Sequence, residues 1–107
     1  MKAGKLRHVI RLERATVAPD AYGTPVETWA TLATLRAEKV SEGRAERIEG
    51  AAGAIEMVAL VFRVRAFGGV LLSDRVIFLG EAYNLTQIGS GDFMEGRGLE
   101  LHCEAKA

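Results

Sequence analysis

The sequence predicts an all-β fold: a small closed or partly open β-barrel of about six antiparallel strands, in one domain over residues 1–107. Several short segments place apolar and polar residues in turn, which is the pattern of half-buried strands. Glycine- and proline-containing turn signals separate these segments at short spacing. Helical periodicity is scarce. A closed sheet is favoured because closure removes exposed strand edges.

The first strand is predicted over Arg7–Arg14, where His8, Ile10 and Leu12 share one face. The segment VAPDAYGTP then ends this strand, because its two prolines lack an amide donor and its glycine permits a positive φ. After an extended lead-in, alternation over residues 33–40 predicts a second strand that ends near Val40.

Residues 41–56 are predicted to form a long mobile loop inserted between strands. The segment SEGRAERIEGAAGA is first charged and then almost entirely glycine and alanine, and Ile48 is its only large apolar residue. A short helix over Ala45–Glu49 fits this pattern, but Gly50 and Gly53 weaken any extension.

Alternation resumes in the second half of the chain. Glu56–Ala66 is predicted to be the strongest strand, with an apolar face that includes Leu60 and Phe62. The tripeptide GEA between two further apolar segments, 75–79 and 83–88, is a hairpin signal. A closing strand is predicted over residues 99–105.

Composition argues against several classes of protein. Lys plus Arg number 14 and Asp plus Glu number 14, whereas a dedicated DNA-binding domain usually carries a basic excess. The single cysteine rules out an intrachain disulfide and favours a reducing compartment. The first ten residues lack the apolar core of a signal peptide, and the apolar run MVALVF is too short to span a membrane. We therefore expect a soluble protein made in a cytoplasm.

No catalytic, cofactor or metal site is predicted. His102 and Cys103 are neighbours on a strand, so their side chains point to opposite faces and cannot form a thiol–imidazole pair. Cys103 shares the face of Leu101 and is expected to be a small buried residue. Together with His8, these residues lack the paired spacing of a zinc site. The segment GSGDFMEG fits neither a dinucleotide fingerprint nor a phosphate loop, and no nucleophile–base pair supports a hydrolase.

Two groups of residues are candidates for contacts. Arg63 and Arg65 share one face of a strand, which is either a solvent-facing wall or a basic patch that meets a neighbouring subunit or a phosphate backbone. Asp20, Tyr22 and Trp29 surround the proline-rich turn, where they either anchor that turn to the barrel or form an interface.

A series of short motifs occurs in a fixed order along the chain: GKLRH at 4–8, DAYGTPVETW at 20–29, LATLRAE at 32–38, GRAE at 43–46, SDRV at 73–76, YNL at 83–85 and LEL at 99–101. Together they resemble the phage head–tail joining proteins, also called head–tail adaptor, head-closure or stopper proteins. The resemblance runs from Gly4 to about Cys103. The opening G-x-L-R-H followed by D-A-Y-G-x-P-V-E-T-W is its most specific part.

The resemblance implies a small β-barrel connector domain that is not an enzyme and needs no cofactor. It implies that copies form a six- or twelve-fold ring, with the portal and adaptor ring above and tail proteins below. Such a ring retains packaged double-stranded DNA and lets it pass without sequence-specific binding, and no membrane is involved. The expected location is a virion or phage-like particle assembled in a bacterial cytoplasm. Gene transfer agents use similar proteins.

The resemblance also implies that the segment 41–56 faces the channel and gates it. The candidate gating residues are Gly43, Arg44, Glu46, Arg47, Ile48, Gly50 and Gly53. Family members often have Gly-Arg-Glu here, whereas this chain has Ala45 between the arginine and the glutamate. Glycine and alanine suit a segment that must rearrange, because they pack little.

The alternative to a connector is a small barrel of the oligonucleotide-binding type, which stacks single-stranded nucleic acid on aromatic side chains. Aromatic residues make up only 7% of the chain and do not cluster on one strand, which argues against this function.

Overall fold

A computed structural model describes residues 6–48, 50, 53–65, 68–90 and 98–106, and these form six antiparallel strands. The strands are β1 (His8–Pro19), β2 (Pro25–Ile48), β3 (Ala54–Arg65), β4 (Arg75–Phe78), β5 (Glu81–Ser90) and β6 (Gly98–Lys106). Within these residues there is no α-helix, and so none that would be long and apolar enough to cross a membrane. The all-β prediction is confirmed.

The strands close into one ring-like sheet in the order β1-β2-β3-β6-β5-β4. Closure is made by β1 and β4, where Leu12 pairs with Val76 and Glu13 pairs with Arg75. Each strand therefore has a neighbour on both sides over part of its length, which is the arrangement that alternation and short turns predicted. We call the closed part of the sheet the wall.

The core fills the inside of the wall. Successive residues of a strand point to opposite faces, so each strand contributes apolar side chains from alternate positions. Phe62 of β3 and Phe78 of β4 meet edge to face, with ring centroids 5.0 Å apart. The fully buried apolar residues are Ile10, Leu12, Ala37, Leu60, Phe62, Val64, Val76, Leu101 and Cys103.

The longest strand, β2, has 24 residues and runs well beyond the second strand predicted over 33–40. Register shifts leave Leu32 and Val40 as extra residues, one at each end of the segment that lies in the wall. Such bulges bend a strand. A straight strand of this length would span about 80 Å, whereas the longest dimension of the molecule is 49 Å. The strand is therefore strongly bent.

The prediction of a long loop over residues 41–56 is wrong. Residues up to Ile48 belong to β2 and residues from Ala54 belong to β3, and the two strands remain paired to the end of the hairpin. The predicted helix is wrong over 45–48, which is strand, while residues 49, 51 and 52 lie outside the described residues. Both sides of this part of β2 are exposed, so no apolar alternation marks it, and pairing with β3 decides its conformation.

Two hairpin arms extend the wall. The first arm consists of Arg14–Pro19 paired with Pro25–Ala30, and the second arm consists of Ser41–Ile48 paired with Ala54–Val61. Because β2 runs from one arm through the wall into the other, the arms leave the wall at its two ends. The radius of gyration is 15.6 Å, compared with about 13 Å for a compact chain of this length. The arms account for this elongation.

Candidate functional site

The second arm contains the residues to which the resemblance assigns gating. Every β2 residue from Lys39 to Ile48 is exposed. Glu42 pairs with the inward-facing Leu60, so its side continues the inside of the wall. This inner face of the arm carries the β2 residues Glu42, Arg44, Glu46 and Ile48. The outer face carries Ser41, Gly43, Ala45 and Arg47.

The inner face of the second arm carries charges of both signs. Arg44 Nη1 donates to Glu56 Oε1 across the two strands at 3.0 Å, and this bond raises the pKa of Arg44 above its ordinary value. Lys39 Nζ lies 3.6 Å from Glu42 Oε1. Exposed pairs of this kind add little to stability. With Glu46 also present, the carboxylates outnumber the cations, so this face offers no basic surface to a DNA backbone.

The outer face of the second arm contains a recess of about 400 Å³, which we call the outer recess. Met57 is buried at its floor, and Arg47 donates to Glu104 Oε1 at its edge. Small and apolar residues occupy paired positions along the floor, with charged residues around them. The residues that line the recess are Gly43, Arg44, Ala45, Glu46, Arg47, Met57, Ala59 and Glu104.

The tip of the second arm presents an apolar side chain to solvent. Ile48 is 82% exposed although it lies within the paired hairpin. Beyond it, the Gly53 amide donates to the Gly50 carbonyl oxygen at 3.4 Å. The structure thus brings the candidate gating residues together on one arm. Their role in gating stays a prediction.

The first arm ends in a turn that is organised by Asp20. Asp20 Oδ1 accepts hydrogen bonds from the amides of Tyr22, at 2.8 Å, and Thr24, at 2.9 Å. Gly23 adopts a φ of 80°, a conformation that residues with a Cβ rarely take. Tyr22 is 93% exposed at this tip. It does not anchor the turn to the wall in this structure, and its role in an interface stays a prediction.

Trp29 lies at the base of the first arm and is half-buried. The Arg75 guanidinium of β4 stacks over its ring, with Cζ 4.0 Å from the centroid. Arg75 also donates to Glu13 Oε1 from Nε at 2.9 Å, and Glu13 is buried. The stack joins the first arm to the wall, which is the geometry of the anchor alternative for Trp29.

The connection between β3 and β4 is attached to β1 by an ion pair. Arg14 donates to Asp74 from both Nε and Nη2 at 2.9 Å, and the Leu71 amide donates to the same carboxylate at 2.9 Å. The Asp74 side chain is fully buried. The hydrogen bonds from Arg14, together with that from Leu71, hold the pKa of Asp74 below its ordinary value.

Arg63 and Arg65 lie on the outside of the wall. Arg63 Nε donates to Glu100 Oε2 at 3.1 Å, and Glu100 Oε1 lies 2.8 Å from His102 Nε2. These bonds, first that from His102 and then that from Arg63, lower the pKa of Glu100. Arg65 is exposed at the end of β3. The charge of Arg63 is thus partly compensated within the chain, and an interface role for both arginines stays a prediction.

Cys103 is buried, as predicted, and its thiol donates to the Leu60 carbonyl oxygen at 3.6 Å. Burial raises its pKa to about 12, so it is unreactive as a thiolate. Within the described residues, no group of three or more His, Cys, Asp or Glu side chains is placed to hold a metal ion.

Comparison with known proteins identifies the family. The family described as "Phage head completion protein" matches residues 1–106. The chain belongs to the phage head completion protein family. This is a family of structural phage proteins and not a class of enzymes. No curated protein sequence matches the chain significantly.

Two solved structures share the fold of this head completion family member. A chain from the virion of a native gene transfer agent particle is 19% identical, with a TM-score of 0.74, and the match covers 94% of each chain. The solution structure of a protein from Shigella flexneri 2a is 23% identical, with a TM-score of 0.61, and the match covers 96% of this chain and 95% of that one.

Sequence analysis missed two ion pairs: that of Glu13 with Arg75, between β1 and β4, and that of Arg14 with Asp74, which attaches the β3–β4 connection to β1. The SDRV motif, which is one of the motifs that carry the resemblance, contains Asp74 and Arg75. The β1 partners lie about sixty residues away, and only the β1–β4 pairing that closes the sheet brings them together.

Proposed function

We propose that the protein is a ring-forming head–tail connector subunit of a tailed phage or phage-like particle, which retains packaged double-stranded DNA and gates its exit. Membership in the head completion family supports the connector role. The similar fold of a chain from a gene transfer agent virion supports a place in a phage-like particle.

The observation that carries the proposal is the second arm. From Ser41 to Ile48, β2 continues beyond the wall for about 26 Å with every side chain exposed. Pairing of β2 with β1 ends at Ala37, so one edge of the arm has no strand neighbour among the described residues. Long open edges of this kind invite pairing with other chains. An arm of this form suits a subunit that is completed by its neighbours.

The charges of the second arm suit a channel through which DNA slides. Lys39 and Arg44 are balanced by carboxylates on the same face. A strongly basic lining would hold the phosphates by counterion release and resist ejection. A mixed or slightly acidic lining lets DNA pass, and closure of the channel then depends on the position of the arm.

The nucleic-acid-binding alternative is less well supported by the described aromatic residues. Phe62 and Phe78 are buried in the core, and Arg75 covers the face of Trp29. Tyr22 is exposed at the tip of the first arm, away from the wall. These side chains do not line up along one surface as a stacking platform requires.

The test is to shorten the second arm without changing the wall. Residues 46–56 are replaced by Asn-Gly, so that Ala45 and Met57, which already pair, flank a two-residue hairpin turn. We expect the variant to fold and enter particles, because the wall residues are untouched. We expect those particles to lose DNA, measured as nuclease-protected genomes per particle by quantitative amplification.

The control is Ile48→Thr, which keeps the length of the arm and changes one exposed tip residue. Particles with this variant should protect as much DNA as the wild type. The gating role is wrong if particles with the shortened arm retain their genomes normally.

A further inference from the structure

The turn between β4 and β5 holds a large apolar residue in a strained conformation. Phe78 pairs with Glu81, so Leu79 and Gly80 form a two-residue hairpin turn, with φ angles of 51° and 81°. Positive φ at both positions is the pattern of a type I′ turn, which favours Asn-Gly. Leucine is a poor residue at the first position, because its Cβ crowds the following carbonyl oxygen.

Leu79 also gains nothing from burial. Its side chain is 84% exposed, so neither packing nor a local hydrogen bond offsets the backbone strain. Strained residues persist where the surroundings or a function require them. Among the described residues, Leu79 is the only one other than glycine with a positive φ. A strained and exposed leucine at the tip of a tight hairpin is therefore a candidate contact residue.

We propose that Leu79 is the knob of a contact between copies of this chain, and that it inserts into the outer recess on the second arm of the next copy. The proposal rests on the proposed ring and names the surfaces that would form it. The occupant of the recess is thus a second copy, presented through its β4–β5 turn.

The positions of the two surfaces fit a repeating contact. In the closed strand order, the β4–β5 hairpin lies directly across the sheet from the β2–β3 hairpin. Ile77 pairs with Arg11, so the turn that follows lies towards the His8 end of β1. His8 pairs with Ala37, just before β2 enters the second arm. Both surfaces therefore lie at the same end on opposite sides, and a heterologous contact between them can repeat around a ring.

The chemistry of the two surfaces is also complementary. The floor of the outer recess is made of small and apolar residues, which can receive a leucine side chain. Arg47 lies at its edge. Glu81 is exposed two residues after Leu79 and makes no ion pair within the described part of the chain. In the docked arrangement this carboxylate would approach the Arg47 guanidinium of the next copy.

The first test is Leu79→Asn, which suits the turn and removes the knob. We expect the purified variant to melt about 2–5 °C higher, because asparagine tolerates the positive φ. When it is produced together with the wild type, we expect particles to contain about tenfold less of it, as for loss of a central interface side chain. The control is Leu72→Asn, which removes a leucine that is 57% exposed at the other end of the wall. We expect the control to be incorporated normally. Equal incorporation of the Leu79 variant would overturn the proposal.

The second test fills the outer recess with a side chain of the subunit that contains it. A Cβ added at Gly43 would meet no atom within 4 Å, so Gly43→Phe should leave the fold intact and block the recess. Its melting temperature should stay close to that of the wild type, and its incorporation should fall as for Leu79→Asn. Normal incorporation of Gly43→Phe would also overturn the proposal.

Cross-linking distinguishes failure of this contact from failure of the ring. The double variant Glu81→Cys and Ala59→Cys places one thiol beside the knob and the other in the recess, on opposite sides of the same subunit. The natural Cys103 is buried and does not interfere. Oxidised particles should give a ladder of multimers, whereas each single variant should give none. Particles that hold DNA and the double variant without a ladder would refute the contact alone, whereas absence of the wild-type protein from particles would refute the proposed function.

Discussion

The wall and the second arm are built from the same two strands, β2 and β3, but they are held together by different interactions. In the wall, Ala37 pairs with Val64 and both residues are fully buried. In the arm, Arg44 pairs with Val58, and the arginine side chain is largely exposed. Backbone pairing continues beyond the bulge, whereas every β2 side chain from Lys39 to Ile48 is exposed. The comparison shows that two strands can stay paired beyond the part of the sheet that surrounds the core.

This difference separates stability from contact formation. Hydrophobic burial is the main favourable contribution to folding, and here it is concentrated inside the wall. Apart from Met57 and Leu60 of β3, the residues of the two arms are not buried in the single chain, so they are available for contacts with other chains. We therefore expect substitutions in the wall, at its attachments and in the arm to have effects of decreasing size on the free energy of unfolding.

The largest effect is expected for Phe62→Ala in the wall. The change removes a fully buried ring that packs edge to face on Phe78, and it should lower the free energy of unfolding by about 3–5 kcal/mol. Urea denaturation followed by far-ultraviolet circular dichroism measures this. Phe62→Leu is the matched control and should cost clearly less, because it leaves a smaller cavity. A loss under about 1 kcal/mol for the alanine variant would mean that Phe62 is not buried in the core of the folded protein.

An intermediate effect is expected for Asp74→Ala, where the β3–β4 connection is attached. The variant loses three hydrogen bonds to a buried carboxylate, and the free energy of unfolding should fall by about 2 kcal/mol at neutral pH.

Asp74 also makes the free energy of unfolding depend on pH, and the direction of its pKa shift gives the sign of this dependence. The folded state lowers the pKa of Asp74 below its ordinary value of 3.8. Its stabilising contribution is therefore complete above that value and is lost as the pH falls through the lower folded pKa. The difference between wild type and Asp74→Ala should shrink in urea titrations as the pH is lowered below 3.8. A difference that is constant down to strongly acidic pH would show that the carboxylate charge does not matter.

The smallest effect is expected for Ile48→Thr at the end of the second arm. Its side chain is exposed, so the free energy of unfolding should change by at most about 0.5 kcal/mol. The same urea experiment measures this. A loss as large as that of Asp74→Ala would mean that the arm packs against the wall in solution and would remove the contrast between the two regions.

The sequence predicted the parts of the fold in which one face is buried and the other is not. Ile10 and Leu12, then Leu60 and Phe62, alternate because each strand borders the core on one side only. The second arm was missed for the same physical reason, because neither of its faces is apolar. Trp29 was recognised as a possible anchor, but its partner Arg75 was not. That pairing depends on the closure of β1 on β4, and alternation within a strand carries no information about strand order.

The bulge at Val40 has a consequence for the evolution of such a protein. Before it, odd-numbered residues such as Leu35 and Ala37 belong to the inner side of the sheet. After it, even-numbered residues such as Arg44 do. Deleting that one codon would keep the pairs Lys39–Phe62 and Ser41–Val61, and hence both faces of the hairpin, but it would remove the extra residue that bends β2. Single-codon insertions and deletions here are thus a route by which related proteins can change the angle at which the second arm leaves the wall, while its two faces and the body stay the same.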